Sequence, residues 1–429
     1  MKLLFVADNS TEQNWGCRAT SFALRRMVAD RHEITGTITR ALLKSPLTEP
    51  RAHAERAHAL LVRRLRRPKV RRTPVVGDLV FGAIEALGAV HEPSHDIEGD
   101  AALLWDLRDR SPKARAIVER IEACDGIVVN GEGEMIFPDP PRPTLLQTLA
   151  ICALARRRGK RVFYINGMVS RAPDGTALAE TVAATVRALD GAVLSVRDYL
   201  SQETAAELLP AFTPAFHADA LFSWYPHFAD SAAPRYDPAA LIPFFDRTGA
   251  ARPPVTDRPY VAISGSSLAA KNQRGAADGY THLAERLKAL GLPLLLVATC
   301  RGDDFLEVVA KRTGLPFLPV STPIFAGAAV MANARLLVSG RWHPSIMAAL
   351  GGAPCVFLGS NSHKTFSLQQ LLDYPAPREF PAIPGAGDVE AIAAAARDAL
   401  AGGIDRRRTI AAAAARMNES ARAMIDCVA

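Results

Sequence analysis

What most constrains this chain is the alternation of short, wholly apolar runs with longer segments of helical period. Strand-like LLFVA (3–7), GIVVN (126–130), RVFYI (161–165) and AVLSV (192–196) come first, followed by YVAIS (260–264), PLLLVAT (293–299), LLVSG (336–340) and CVFLG (355–359). Runs apolar at nearly every position suit strands covered on both faces, the arrangement of a parallel sheet between helices. Helix-period text lies between them, at 277–290 and 303–313, and an Ala-rich series runs from about 388 to the end. The expected class is therefore α/β with mainly parallel sheets.

A chain of 429 residues is longer than one hydrophobic core serves. Between 226 and 258 the text turns Pro-rich and poor in strand signals, as expected of a linker. The sequence thus predicts an N-terminal Rossmann-like domain over 1–225 and a C-terminal Rossmann-like domain with terminal helices over 259–429. Two such halves would face each other across a cleft, with ligands at the carboxyl ends of the strands.

Other classes are excluded. The opening MKLLFVADNS has five apolar residues before Asp8, shorter than a signal peptide's apolar core. No run of about 18 apolar residues is free of charge, so no membrane span is expected. The six cysteines (Cys17, Cys124, Cys152, Cys300, Cys355, Cys427) are scattered, without CxxC or zinc-ligand spacing. They fit reduced thiols of a cytoplasmic protein, and neither metal nor cofactor is expected.

The net charge of +7 is local. Residues 51–72 carry nine basic side chains and one acidic, Glu55, so the rest of the chain is close to neutral. With Leu60, Leu61, Val62 and Leu65 among the arginines, this segment reads as a basic amphipathic helix. It would rest on an anionic membrane surface, giving a peripheral protein, or draw in an anionic substrate. Without interleaved aromatics for base stacking, nucleic acid is not an expected partner.

The densest chemical motif is SGRWHPSIMAALGGAPCVFLG (339–359). A strand ends near Gly340, Pro344 suits the first helical turn, and His343, preceding a proline, is expected to be extended. Arg341 and His343 would then flank a helix N-terminus, an anion site for phosphate or carboxylate. An Arg paired with an acid beside a capping His gives the same text. After the next strand, NSHKTFS returns His363 and Lys364 to the same sheet edge, where the lysine offers a mobile point charge.

In the first half, Arg197 stands at a strand end in SVRDYLS, with Asp198 as an N-cap. NGEGEMIF (130–137) is expected to be a loop in which Gly131 permits close backbone approach and Glu132 and Glu134 act as bases or sugar-hydroxyl acceptors. DNSTEQNWGCRAT (8–20) brings Asn14, Gly16 and Arg18 toward the ligand and leads into a helix from about Cys17. His217, Asp219, Ser264 to Ser267 and Arg301 also follow strands.

Together these segments resemble the polysaccharide pyruvyl transferase family: the NWG loop, GIVVNGEGEM, SVRDYLS, HADALF and, above all, Ser339, Arg341, His343, Gly352, Pro354 and Lys364 in order and spacing. The chain differs from the family pattern at Cys17, where an Asp is usual, and in the bulk of Trp342. The resemblance implies a GT-B-like fold and transfer of a pyruvyl group from phosphoenolpyruvate to a sugar of a cell-surface glycan or lipid-linked saccharide, usually as a ketal. It implies Arg341 and His343, with Arg197, as positions that bind the donor; together with the segments above, His343, Glu132 and Glu134 are the expected catalytic groups. Arg341, Arg197, Lys364, Trp342 and Ser266 are then donor-binding, and Asn14, Gly16, Arg18, Gly131 and Asp219 acceptor-side.

Two other readings compete. A GT-B-type glycosyltransferase would take a nucleotide-sugar donor, and a non-catalytic scaffold would use 51–72 to recruit a glycan-assembly complex. Binding of a nucleoside diphosphate favours the first; retained activity after deletion of 51–72 speaks against the second.

Overall fold

The structure, a computed structural model, describes residues 1–45, 47, 93–229 and 259–428. The basic segment 51–72 and residues 230–258 of the expected linker lie outside the described residues.

The first sheet contains β1 (Lys2–Asp8), β2 (Glu33–Thr39), β3 (Gly126–Ile136), β4 (Arg161–Ser170), β5 (Val193–Val196) and β6 (Ala215–Phe216), in the order β2-β1-β3-β4-β5-β6. The pairings β1–β2, β1–β3, β3–β4 and β5–β6 are parallel. The order reverses between β1 and β3, so the carboxyl ends of these two strands flank the position where open α/β sheets bind ligands. The helices in this part of the chain are α1 (Trp15–Ala29), α2 (Arg40–Lys44), α3 (Ile97–Asp106), α4 (Pro112–Glu122), α5 (Pro143–Arg157), α6 (Ala179–Leu189) and α7 (Tyr199–Leu208). Their starts follow local rules: Ser111 accepts the Ala114 N–H at 3.1 Å, and Pro112 opens α4, where its missing N–H costs nothing.

The second sheet contains β7 (Val261–Ser266), β8 (Leu294–Val297), β9 (Phe317–Leu318), β10 (Leu336–Gly340) and β11 (Cys355–Phe357) in the order β11-β10-β7-β8-β9, all parallel. Alternate residues serve two cores. Val261, Ile263, Leu294, Leu296, Leu336 and Val338 face one. Ala262, Leu295, Val297, Leu337 and Phe357 face the other, which also holds Trp15 and Trp342. The helices here are α8 (Gln273–Leu287), α9 (Phe305–Thr313), α10 (Ile324–Asn333), α11 (Trp342–Leu350), α12 (Lys364–Leu371), α13 (Ala386–Ala401) and α14 (Gly403–Ala423). No helix among the described residues is long and apolar enough to cross a membrane.

The chain folds as two compact units, one of 1–8, 28–194 and 205–213, the other of 9–27, 195–204 and 214–429. The expected N-terminal domain 1–225 therefore lends three segments to the second unit. The reason is burial: Trp15, Ala19, Ala218, Leu221 and Phe222 are fully enclosed in the second unit's core. Residues 226 and 227 of the expected linker complete a 3-10 helix, Ala220–His227.

Three local expectations are corrected. NGEGEMIF is not a loop: β3 runs through Ile136, with a register irregularity between Glu132 and Met135. Helix α1 starts at Trp15, before Cys17, because Asn14 Oδ1 accepts the Cys17 N–H at 3.2 Å. His343 is helical, not extended. Pro344 is only the third residue of α11, where a missing N–H removes no helical hydrogen bond.

Candidate active site

The second unit gathers polar residues where its strands end. A β-carbon on Gly340 would lie 2.5 Å from Ser266 Cβ and 2.9 Å from the Gly359 carbonyl, so the ends of β7, β10 and the segment after β11 meet without room for a side chain. Ser266 Oγ donates to that Gly359 carbonyl at 2.5 Å. The order of this sheet reverses between β7 and β10, which places Ser266 and Arg341 at its switch point.

At the centre is Asp219, the N-cap of the 3-10 helix, fully buried. Its Oδ2 accepts from Arg197 Nη1 at 2.9 Å and Trp342 Nε1 at 3.0 Å and lies 3.3 Å from His343 Nε2. Its Oδ1 accepts from Thr20 Oγ1 at 2.8 Å and the Leu221 N–H at 3.0 Å. Burial alone would raise the Asp219 carboxyl. His343, Arg197 and the Leu221 N–H outweigh it and hold the group well below the usual carboxylate range. Asp219, expected on the acceptor side, is thus the carboxylate that Arg197 and His343 share. Arg197 also stacks over the Trp342 ring, 4.9 Å from its centroid. Trp342 joins the group by its indole N–H rather than by bulk alone.

Gly16, also expected on the acceptor side, touches His343 directly: a β-carbon there would fall 2.2 Å from Nδ1. Asn14 forms an isolated bridge with Cys300 besides capping α1. Arg18 is half-buried in the first turns of that helix.

Arg341 turns to Asp303, which sequence reasoning missed. Its Nε and Nη2 donate to Asp303 Oδ1 at 3.1 and 2.5 Å, while Asp303 Oδ2 accepts the Thr299 N–H at 3.1 Å and Thr299 Oγ1 at 2.9 Å. The fully buried carboxylate raises the guanidinium's already high pKa, although burial acts against it. A β-carbon on Gly265 would lie 2.0 Å from Asp303 Oδ1, so β7 needs glycine there to admit the pair. The available signal was position alone: Asp303 stands four residues beyond Thr299, just after a strand end.

A second carboxylate–imidazole pair forms beside it. Asp198 caps α7 as expected, accepting the Ser201 N–H at 2.8 Å, and also accepts from Ser201 Oγ at 2.8 Å and Ser367 Oγ at 2.9 Å. His363 Nε2 lies 3.0 Å from its Oδ1. Burial would raise Asp198, but the His363 and Ser201 hydrogen bonds lower it overall. Lys364 opens α12 and donates to Asn361 Oδ1 at 2.6 Å; Asn361 in turn meets Ser267.

The first unit has its own polar group. Asn166 Nδ2 donates to Asn130 Oδ1 at 2.9 Å, and Asn130 Nδ2 to Glu132 Oε1 at 3.1 Å, all buried. Glu134 pairs with Arg40 at 2.6 Å and accepts from Thr144 Oγ1 at 2.8 Å. Gly131 permits the expected close approach: a β-carbon there would meet the Tyr164 ring at 2.4 Å. Among the described residues, no three His, Cys, Asp or Glu side chains are grouped to hold a metal ion.

Comparison with solved structures finds similar folds of low identity. A putative UDP-N-acetylglucosamine 2-epimerase from Listeria monocytogenes has a TM-score of 0.55 at 9% identity, covering 100% of this chain and 95% of that one. A glycosyltransferase from Rickettsia africae has a TM-score of 0.52 at 10% identity, over 100% and 98%. The N-terminal domain of trehalose-6-phosphate phosphatase from Candida albicans has a TM-score of 0.51 at 10% identity, over 99% and 96%. They show a fold of two Rossmann-like domains of GT-B type. No curated protein matches. The family model described as polysaccharide pyruvyl transferase matches residues 90–362, from before β3 to beyond Arg341 and His343. That is well over half of the sequence, and the chain belongs to the polysaccharide pyruvyl transferase family.

Proposed function

We propose that this transferase moves the pyruvyl group of phosphoenolpyruvate onto a sugar of a cell-surface polysaccharide or its precursor, forming a ketal. The observation that carries the reading is the buried group of Arg197, Trp342 and His343 on Asp219 at the strand ends. Phosphoenolpyruvate carries a carboxylate and a phosphate on three carbons, so it needs several donors fixed close together. Arg197 and Arg341 offer planar, multidentate guanidinium groups. Each is held by a buried carboxylate, Asp219 or Asp303, before any ligand arrives, so little reorganisation accompanies binding. Lys364, bonded to Asn361 Oδ1 at 2.6 Å, supplies a third cation.

In the proposed chemistry the enol methylene takes a proton at C3 as the C2–C3 double bond opens, and a sugar hydroxyl oxygen bonds to C2 and gives up its proton, which replaces the one spent on C3. A second hydroxyl oxygen then bonds to C2 as the bond from C2 to the phosphate oxygen breaks, and its proton leaves with phosphate. His343 serves as acid or phosphate partner, since an imidazole can both give and take a proton. Asp219 and Gly16 set its position.

The test is thermal unfolding with millimolar phosphoenolpyruvate beside a panel of nucleotide sugars. A ligand that binds only the native state at about 100 times its dissociation constant stabilises it by about 2.7 kcal/mol. The midpoint should rise with phosphoenolpyruvate, and Arg341→Ala should abolish the rise. A shift with a nucleotide sugar and none with phosphoenolpyruvate would replace this donor with a nucleotide sugar.

A further inference from the structure

We propose that His363, oriented by Asp198, is the general base that takes the proton of the acceptor's attacking hydroxyl, a role that rests on the pyruvyl-transfer reading above. His363 is the N-cap residue of α12, just beyond β11. Its Nε2 lies 3.0 Å from Asp198 Oδ1 and 3.3 Å from Ser201 Oγ. A carboxylate only accepts, and the Ser201 hydroxyl already donates to Asp198 Oδ2, so the hydrogen on this edge belongs to Nε2. The neutral ring then carries its lone pair on Nδ1. That atom makes no hydrogen bond among the described residues, and the side chain is 18% exposed while the Asp198 side chain is fully buried.

Asp198 cannot turn away, because the Ser201 N–H and the Ser367 hydroxyl hold the same oxygen that faces His363. A fixed carboxylate on one ring nitrogen with the other nitrogen open is the arrangement that makes an imidazole a base. The acid sets the tautomer and stabilises the imidazolium that forms. His343 is placed differently. Its Nε2 faces Asp219 and its Nδ1 lies against the Gly16 backbone, so it is the more enclosed of the two imidazoles.

The dyad adjoins the donor group along the chain and across the strand ends. Asp198 is the residue after Arg197, whose guanidinium reaches Asp219 and lies 3.5 Å from His343 Nε2. The segment bearing His363 begins at Gly359, whose carbonyl crowds Gly340 just before Arg341, and continues through Ser360, whose hydroxyl meets Ser267 at 2.8 Å.

In the step assigned here, the proton of the first sugar hydroxyl passes to His363 Nδ1 as its oxygen bonds to C2 of the donor. The proton taken by His363 balances the one delivered to C3, and the second hydroxyl's proton leaves with phosphate. Among the described residues, His363 faces Asp198 and the half-buried Glu379, which interacts with both His363 and Lys364. Transfer should therefore require an open Nδ1 lone pair on His363.

The experiment compares wild type with His363→Gln, which keeps an N–H for Asp198 but no base. Loss of a general base costs about 10²- to 10⁴-fold. The variant should lose kcat by that factor and lose the acid limb of the wild-type kcat/KM profile, while its unfolding midpoint still rises with phosphoenolpyruvate. A kcat within about threefold of wild type, far short of the loss of a base, would overturn the assignment and leave His363 as a tie between α12 and α7. If wild type neither transfers pyruvate nor responds to phosphoenolpyruvate, the donor reading has failed. Nitrogen-15 NMR of the His363 ring then decides the dyad alone: hydrogen on Nε2 and none on Nδ1 upholds it, and the reverse tautomer, or no change in Asp198→Asn, overturns it.

Discussion

The imidazole of His343 lies against the Cα of Gly16, so close that a β-carbon on Gly16 would fall 2.2 Å from Nδ1 and 2.6 Å from the histidine's Cβ and Cγ. Helix α1 is thereby tied to the position of a ring on α11. Gly16 is also the second residue of α1, where alanine is intrinsically the better helix former by about 0.8–1 kcal/mol. Gly16→Ala should therefore fold, with α1 intact by circular dichroism, and displace His343. Since a misplacement of about 1 Å costs about 100-fold in rate, kcat should fall by that order. Unchanged kcat would remove His343 from the chemistry.

Asp219 links stability to pH. Its pKa is depressed in the fold, so the unfolded chain binds more protons as the pH falls below the ordinary Asp value of about 3.9. The stability it provides is complete above that value and is lost as the pH falls toward the folded one. Asp219→Asn leaves Arg197 buried without its counter-ion, a change that costs about 3–5 kcal/mol. The gap between wild type and variant in urea unfolding should be widest near neutrality and narrow below about pH 4. A gap constant down to the lowest pH would show that the carboxylate's charge is not what matters.

Arg341 donates twice to one oxygen of Asp303, which only a guanidinium can do from this position. Arg341→Lys keeps the charge and loses the fork, so KM for phosphoenolpyruvate should rise by about tenfold or more, one lost charge-assisted hydrogen bond being worth about 1.5–3 kcal/mol. Gly265→Ala acts from the other side. Its β-carbon, 2.0 Å from Asp303 Oδ1, would displace the acid and raise KM in the same direction without touching Arg341's identity. If Gly265→Ala leaves KM unchanged, the pair does not position the arginine for the donor.

The strands were legible because parallel strands between helices are apolar on both faces. LLVSG is β10 residue for residue, and LLFVA, GIVVN, RVFYI and YVAIS mark β1, β3, β4 and β7. What escaped lacked that signature. EITGTIT, which forms β2, is broken by threonine and glycine, and β9 has only two residues. NGEGEMIF looked like a loop because its glycines and glutamates carry no apolar period, yet β3 continues through it beside β4. The site was legible as positions after strands, which local text reveals, and not as pairs. Arg197 with Asp219, Thr20 with Asp219 and Arg341 with Asp303 join residues far apart in sequence, and an acidic residue in RGDD looks like any exposed turn until the fold buries it.

In the first unit, Ala7, Glu132 and Asn166 all have positive φ, 60°, 36° and 56°, within β1, β3 and β4, Glu132 at the irregularity of β3. Asparagine tolerates this conformation better than most residues, and Asn166 also donates to Asn130 Oδ1 at 2.9 Å while fully buried. Two costs should separate on mutation. Asn166→Gly loses the side chain's hydrogen bonds, among them the one to Asn130 Oδ1, and a buried hydrogen bond lost in this way costs about 1–3 kcal/mol. Asn166→Ala adds the left-handed conformation, about 1–2 kcal/mol more for a residue with a β-carbon. Urea unfolding should therefore rank wild type above the glycine variant and the glycine variant above the alanine variant. Equal stability of the two variants would mean that the backbone at Asn166 relaxes freely and that the left-handed conformation costs nothing there.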